Sequence, residues 1–207
     1  MEQPSAAMLV IGDELLSGRT HDANMHYLAK ELTEIGINLT EARFIRDDPA
    51  AIVSSIIELS KRFDYLFTSG GIGPTHDDIT TDCVAEAFEK KASIRPDALK
   101  ILQEYYDGKD IELNEARRRM ARIPETAELI DNPISAAPGY VIENVYVMAG
   151  VPKIFQSMLK TVTPKLEKGL PTLSLSVKIH KGEGDIALDL EEICLLYTSP
   201  SPRDKSS

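Results

Sequence analysis

The stretch TSGGIGPTHDDIT, residues 68–80, sets three glycines, a proline and two adjacent aspartates between an apolar run and an amphipathic one. Glycine lets a backbone turn tightly and lets a ligand approach without meeting a side chain. Placed after a strand and before a helix, Gly70, Gly71 and Gly73 are expected to present backbone N–H groups near a helix N-terminus, where a phosphate is favoured. No Gly-Lys-Ser/Thr follows and the spacing is not GxGxxG, so neither a P-loop nor a dinucleotide fingerprint is present. Asp77, Asp78 and Asp82 follow closely, and the spacing of Asp78 and Asp82 puts them on one face of a helix. Carboxylates beside a phosphate repel it unless a hard cation such as magnesium bridges the two. On these residues alone, Asp77 and Asp78 also read as helix caps and the glycines as a tight turn.

Outward from this stretch the chain alternates strand and helix. Residues 6–11, AAMLVI, form a short apolar run ended by Gly12, as suits a strand buried on both faces. Met25, Leu28, Leu32 and Ile35 recur at helical spacing between His21 and Gly36. Residues 38–45 read as a strand, and Asp48-Pro49 opens a helix whose face is Ile52, Ile56, Leu59 and Phe63. Residues 64–68 are the next strand, and a helix capped by Asp77 or Asp78 is expected through Phe88. Further helices are predicted from Pro96, over 114–122 and from Pro152. Val141-Ile142 and 145–148 flank Glu143-Asn144, as a hairpin or as a last parallel strand entered by a turn. This order predicts an α/β fold with a mostly parallel sheet covered on both faces and right-handed crossovers.

The sequence divides into a main domain over 1–168, an incomplete α+β segment over 169–193, and a tail over 194–207 expected to be disordered. In the segment, residues 172–180 alternate as a strand and 182–193 begin a helix. The tail's YTSPSPRD resembles translated adapter sequence and is set aside as non-native. The 207 residues carry a net charge of −10, which repels phosphate backbones at long range and argues against a nucleic-acid partner. Cys83 and Cys194 make neither a disulfide framework nor a CxxC pair. No signal peptide is apparent, no apolar run approaches the ~20 residues of a membrane span, and a cytoplasmic location with no membrane partner is expected.

Acidic residues recur where predicted strands end: Gly12-Asp13-Glu14, Arg46-Asp47-Asp48 and the Asp78/Asp82 pair. Parallel strands bring such ends to one edge, so Glu14, Asp47 and this pair are expected around one pocket.

These blocks resemble the molybdopterin-binding (MoaB/Mog-like) domain family, and within it the CinA-type branch and the related domain of eukaryotic FAD synthase. The resemblance rests on GDELLSGRTHDANMHYLAKEL from Gly12, RDD from Arg46, TSGGIGPTHDDIT from Thr68, NEARRRMARIPETAELIDNPISAAPGY from Asn114 and MAGVPKIFQSM from Met148. It implies a three-layer α/β/α sandwich over residues 6–168. It implies molybdopterin as a ligand in molybdenum-cofactor members, where the loop and its aspartates support adenylylation. In the CinA-type and FAD-synthase branches it implies metal-dependent hydrolysis of ADP-ribose or FAD. The GGIGPTHDD form departs from the GGTG of molybdopterin adenylyltransferases. Relatives form dimers or trimers, so a homo-oligomer is implied.

The expected site follows from both readings. Asp47, Asp78 and Asp82 are expected to position a divalent ion (magnesium, manganese or cobalt), Glu14 or Asp47 to take a proton from water, and Arg119 to stabilise developing charge. Gly12, Asp13, Asn24, Ser69, Gly70, Gly71, Gly73, Pro74, Thr75 and Gly139 are the expected contacts to a small phosphate-containing ligand. At most one or two of Arg117, Arg118 and Arg119 face one pocket, because consecutive helical residues point about 100° apart. A non-catalytic nucleotide-binding module is the third reading.

Overall fold

The structure, a computed structural model, describes residues 3–171, 178 and 182–198. Two compact units, Met1–Thr172 and Leu173–Ser207, divide the chain. In the first, β1 (Ser5–Ile11) leads through the single turn α1 (Asp13–Leu16) to α2 (Asn24–Glu34), then β2 (Asn38–Ile45), α3 (Pro49–Arg62), β3 (Tyr65–Ser69) and α4 (Thr80–Ala87). There follow β4 (Ala92–Ile94), α5 (Pro96–Asp107), α6 (Glu115–Arg118), β5 (Arg122–Pro124), β6 (Glu128–Ile130), β7 (Gly139–Ile142), β8 (Val145–Met148) and α7 (Pro152–Val162). The second unit contains α8 (Glu183–Thr198).

Among the described residues the main sheet has six strands in the order β2-β1-β3-β8-β7-β6. β1 runs parallel to β2 and β3, and β3 parallel to β8, while β7 pairs antiparallel with β8 and β6 antiparallel with β7. β4 and β5 form a separate antiparallel pair. Successive side chains of a strand point to opposite faces, and β1 divides its apolar residues accordingly. Ala7, Leu9 and Ile11 join a core with Ile52, Ile56 and Leu59 of α3 and Val84 of α4. Ala6, Met8 and Val10 join the other core with Leu28 and Leu32 of α2 and Phe155, Met158 and Leu159 of α7. The result is the α/β/α sandwich expected of a run buried on both faces. Each of the larger side chains among them contributes roughly 1.5–3 kcal/mol by its removal from water.

Local chemistry sets the element ends. Asp48 caps α3 by accepting from Ala51 N–H at 2.8 Å, with Pro49 at the first helical position. Asn114 does the same for α6, accepting from Arg117 N–H at 3.0 Å. Residues 139–148 satisfy both readings offered for them: β7 and β8 form a hairpin, and β8 is also the last parallel strand beside β3.

Several expectations are corrected. The α4 helix begins only at Thr80, and no side chain caps it. Asp77 and Asp78 therefore lie in the loop and are not caps, and the argument that Asp78 shares a helix face with Asp82 does not hold. The first unit extends to Thr172 rather than 168, because Gly169 N–H donates to Ile35 O at 3.1 Å and Gln3 Nε2 to Leu170 O at 2.8 Å. Helix α8 continues through Thr198, past Cys194 where the tail was expected to start. The strand expected over 172–180 lies outside the described residues, apart from Lys178, which is in neither helix nor strand.

Candidate functional site

Because β1, β2, β3 and β8 are parallel, their carboxyl ends open on one edge, the usual ligand edge of such sheets. A cleft of about 490 Å³ lies there. Gly12 and Glu14 after β1, Asp47 after β2, the loop Gly70–Pro74 with Asp77 and Asp78 after β3, and Gly150 after β8 all line it.

Gly70 is required by space as well as by backbone angle. Gly70 has φ 109°, and a Cβ there would stand 2.3 Å from Ile11 O, so the loop could not lie against the end of β1. A Cβ on Gly73 would stand 2.6 Å from an Asp78 carboxylate oxygen. Gly70 N–H donates to Met148 O at 3.2 Å. It is therefore not available to a phosphate as expected. The N–H groups of Gly71 and Gly73 make no hydrogen bond among the described residues.

Asp78 Oδ2 accepts from both Thr75 N–H at 2.8 Å and Thr75 Oγ1 at 2.6 Å, which holds the carboxylate against the loop. Asp47 is half-buried and accepts from Asp13 N–H at 3.0 Å. Burial pushes its carboxyl above the ordinary value, and the charges of Glu14, Asp13 and Asp77 push it further, against the hydrogen bond from Asp13. Asp13 is drawn the other way: the Arg46 guanidinium, with Nε 2.9 Å from its Oδ1, holds it below the usual carboxylate range.

The remaining expected residues divide. Arg119 and Asp78 border a smaller recess of about 20 Å³ that also meets Gly73 and Met120, which line the main cleft. Arg117 instead lies over the Tyr106 ring, and Arg118 donates to Leu113 O, so one arginine of the run reaches this region. Asp82 does not join Asp47: it sits outside the main cleft in a two-point pair with Arg122, at 2.8 and 2.6 Å. The expected set Asp47, Asp78 and Asp82 is thus not assembled, and among the described residues no three His, Cys, Asp or Glu side chains converge to hold a metal ion. Gly139 is a packing residue of β7, where a Cβ would stand 2.5 Å from Val147 O. Thr75 and Asp13 support the site through Asp78 and Asp47 and do not line the cleft.

Asn24 is buried at the start of α2. Its Nδ2 donates to Ser69 Oγ and to Gly150 O, both at 2.8 Å, so it ties the ends of β3 and β8 together. The loop over residues 132–139 contributes the opposite wall. Asn132 accepts from Ile134 and Ser135 N–H and donates to Ala137 O at 2.8 Å, shaping a loop whose Asn132, Ser135 and Ala137 face the cleft. Ile72, Met120, Val151 and Ile154 add an apolar surface. Gly150 and its neighbours were findable, since a glycine two residues past a parallel strand marks the same edge. Asp77, noted but not selected, lines the cleft with Asp78. Among the described residues no helix is long and apolar enough to cross a membrane.

Residues 7–168 match a family described as a probable molybdopterin binding domain. A protein of Pyrococcus horikoshii is 37% identical over 174 residues, covering 78% of this chain and 68% of that protein. A CinA-like protein of Kosmotoga olearia is 35% identical over 168 residues, covering 79% of this chain and 41% of the relative, so the match spans less than half of it. Among solved structures, the protein CinA from Thermoplasma acidophilum, of unknown function, superposes with a TM-score of 0.71 at 30% identity, covering 78% of this chain and 98% of that one. The molybdopterin biosynthesis enzyme MoaB of Thermus thermophilus shares the fold, with a TM-score of 0.53 at 17% identity over 79% of this chain and 91% of that one.

Proposed function

The chain belongs to the molybdopterin-binding domain family, in its CinA-type branch, and we propose that it is a metal-dependent pyrophosphohydrolase of a nucleotide such as ADP-ribose or FAD. The observation that carries this reading is the shared cleft: Glu14, Asp47, Asp77 and Asp78 line the same space as the N–H-bearing glycine loop. A pure anion binder gains nothing from four carboxylates beside its anion.

The donor set fits a magnesium-type ion. Asp47 is pushed up by burial first and then by three negative neighbours, and a cation at the carboxylate offsets both. Such an ion uses one or two carboxylates and completes its shell with phosphate oxygens and water, so a three-carboxylate cage is not needed. Asp47 and Asp78 would hold it, and when bound it would supply charge neutralisation on the diphosphate and a more acidic water.

The chain's own groups do the rest. The N–H groups of Gly71 and Gly73 bind phosphate oxygens. Water attacks one phosphorus, Asp47 takes its proton, and the P–O bond to the second phosphate breaks with the bonding pair leaving on that oxygen. Arg119, from the adjoining recess, stabilises the departing charge. The apolar wall of Ile72, Met120, Val151 and Ile154 packs a flat ring, a base or flavin.

The test is product analysis of ADP-ribose and FAD incubated with the chain and magnesium, manganese or cobalt, beside the variant Asp47→Asn. Metal-dependent release of two monophosphates, reduced at least ~100-fold in the variant, is expected for a lost general base. The second reading is molybdopterin binding or adenylylation, favoured by the family's description and served equally by the apolar wall. Binding of molybdopterin with no pyrophosphate cleavage by a folded sample would select it.

A further inference from the structure

The loop over residues 132–139 takes its shape from one buried amide. Asn132 is 8% exposed, and its side chain makes all four of the hydrogen bonds an amide can make. Its Oδ1 accepts from the N–H groups of Ile134 and Ser135, both at 3.1 Å, which fixes the end of the amide that carries the protons. Its Nδ2 donates to Ser135 Oγ at 2.6 Å and to Ala137 O at 2.8 Å. Ala136, between those two, takes φ 60°, in the left-handed region that a non-glycine residue rarely adopts, and its N–H donates to Asn132 O at 3.0 Å. One residue thus sets both Ser135 and Ala137 at the wall of the cleft, where each is partly exposed.

Two donors of this loop are left over. Ser135 Oγ accepts from Asn132, so its own proton is free for an acceptor, and among the described residues it donates to none. The Ala137 N–H makes no hydrogen bond among the described residues either. We propose that Ser135 and Ala137 read the edge of the flat ring packed on the apolar wall, and select a ring whose edge presents two neighbouring acceptors, a carbonyl beside an unprotonated ring nitrogen. The proposal rests on the reading of the cleft as a nucleotide site and names the ring preferred there. Two donors on the wall call for two acceptors on the ring. A 6-oxopurine supplies them at O6 and N7. A 6-aminopurine sets an amine in place of O6, so one wall donor faces another donor and goes unpaired. A site built to hydrogen-bond a ring discriminates by that unpaired group more sharply than by shape. Of the substrates proposed above, the flavin of FAD carries such an acceptor pair, whereas the amino edge of adenine does not. The cleft's volume of about 490 Å³ accommodates a nucleotide of either kind.

The experiment is calorimetric binding of inosine 5′-monophosphate and adenosine 5′-monophosphate to the full chain with magnesium present, beside Ser135→Ala and Ser135→Thr. The two nucleotides share ribose and phosphate and differ in the ring edge. The inosine nucleotide is expected to bind roughly 3–10-fold tighter, the worth of one neutral hydrogen bond. Ser135→Ala is expected to bring the two affinities together, and Ser135→Thr, which keeps the hydroxyl, to hold them apart. Equal affinities in the parent, or a preference for the adenosine nucleotide, would overturn the ring-edge assignment and leave the cleft reading intact. A ratio undiminished in a folded Ser135→Ala would overturn it as well. Binding of neither nucleotide by a folded parent would overturn both.

Discussion

Asp47 concentrates the site's chemistry in one residue. Its pKa is raised, so the folded protein binds its proton more tightly than the unfolded chain does. Ionising it therefore costs stability as the pH rises past its ordinary value of 3.8, and the cost is fully present at neutral pH. Asp47→Asn keeps an acceptor for Asp13 N–H and removes that charge. The unliganded variant is expected to melt higher than the parent at pH 7 and equally at pH near 3, while losing turnover. A lower melting temperature at pH 7 would show that Asp47 stabilises the fold. At this scale the sequence was partly legible: Glu14, Asp47 and Asp78 were identifiable because strand ends are readable from apolar runs. Asp82 was misplaced because its partner Arg122 lies on β5, far along the chain, and no local pattern announces that pair.

At the level of elements, β2 is an edge strand tied to α3 by a network in which Arg43 meets Glu58 through both Nη atoms, at 2.7 and 2.6 Å. Arg62 reaches Glu58 at 2.8 Å and Glu41 at 3.0 Å. Arg43 first, then Arg62, holds the Glu58 carboxyl down to about 2 from its ordinary 4.5. A depressed carboxyl stabilises the fold above its unfolded value and loses that contribution as the pH falls from 4.5 toward 2. Glu58→Gln is expected to lower the melting temperature at pH 7, with the difference closing between those limits. A difference unchanged at pH 2 would rule out the ion pairs as its source. The pair-forming residues sit in an alternating strand and a helix that the sequence does predict, but their mutual reach depends on tertiary placement. The start of α4 was misread for a related reason. Asp77 and Asp78 have the composition of caps, yet Thr75 claims Asp78 first and Gly71 O accepts from Thr80 N–H at 3.0 Å, so the helix begins later.

For the whole molecule, the sandwich was legible because β1 is apolar on both faces and each helix carries one apolar stripe, a pattern that only a covered sheet satisfies. The apolar part of the cleft's second wall was not, since Met120 and Ile154 belong to segments brought together only by the return of β6 and β7 and the packing of α7. The central claim is that the parallel strand ends hold a phosphate-bearing nucleotide against the glycine loop. Two-dimensional amide NMR of the chain titrated with ADP-ribose in the presence of magnesium tests it most directly. The largest shifts are expected at Gly71 and Gly73, with Asp47 and Gly150 following and the far strand ends at Ser5 and Asn38 unmoved. Saturable shifts centred away from that loop, or none at all from a folded sample, would contradict it.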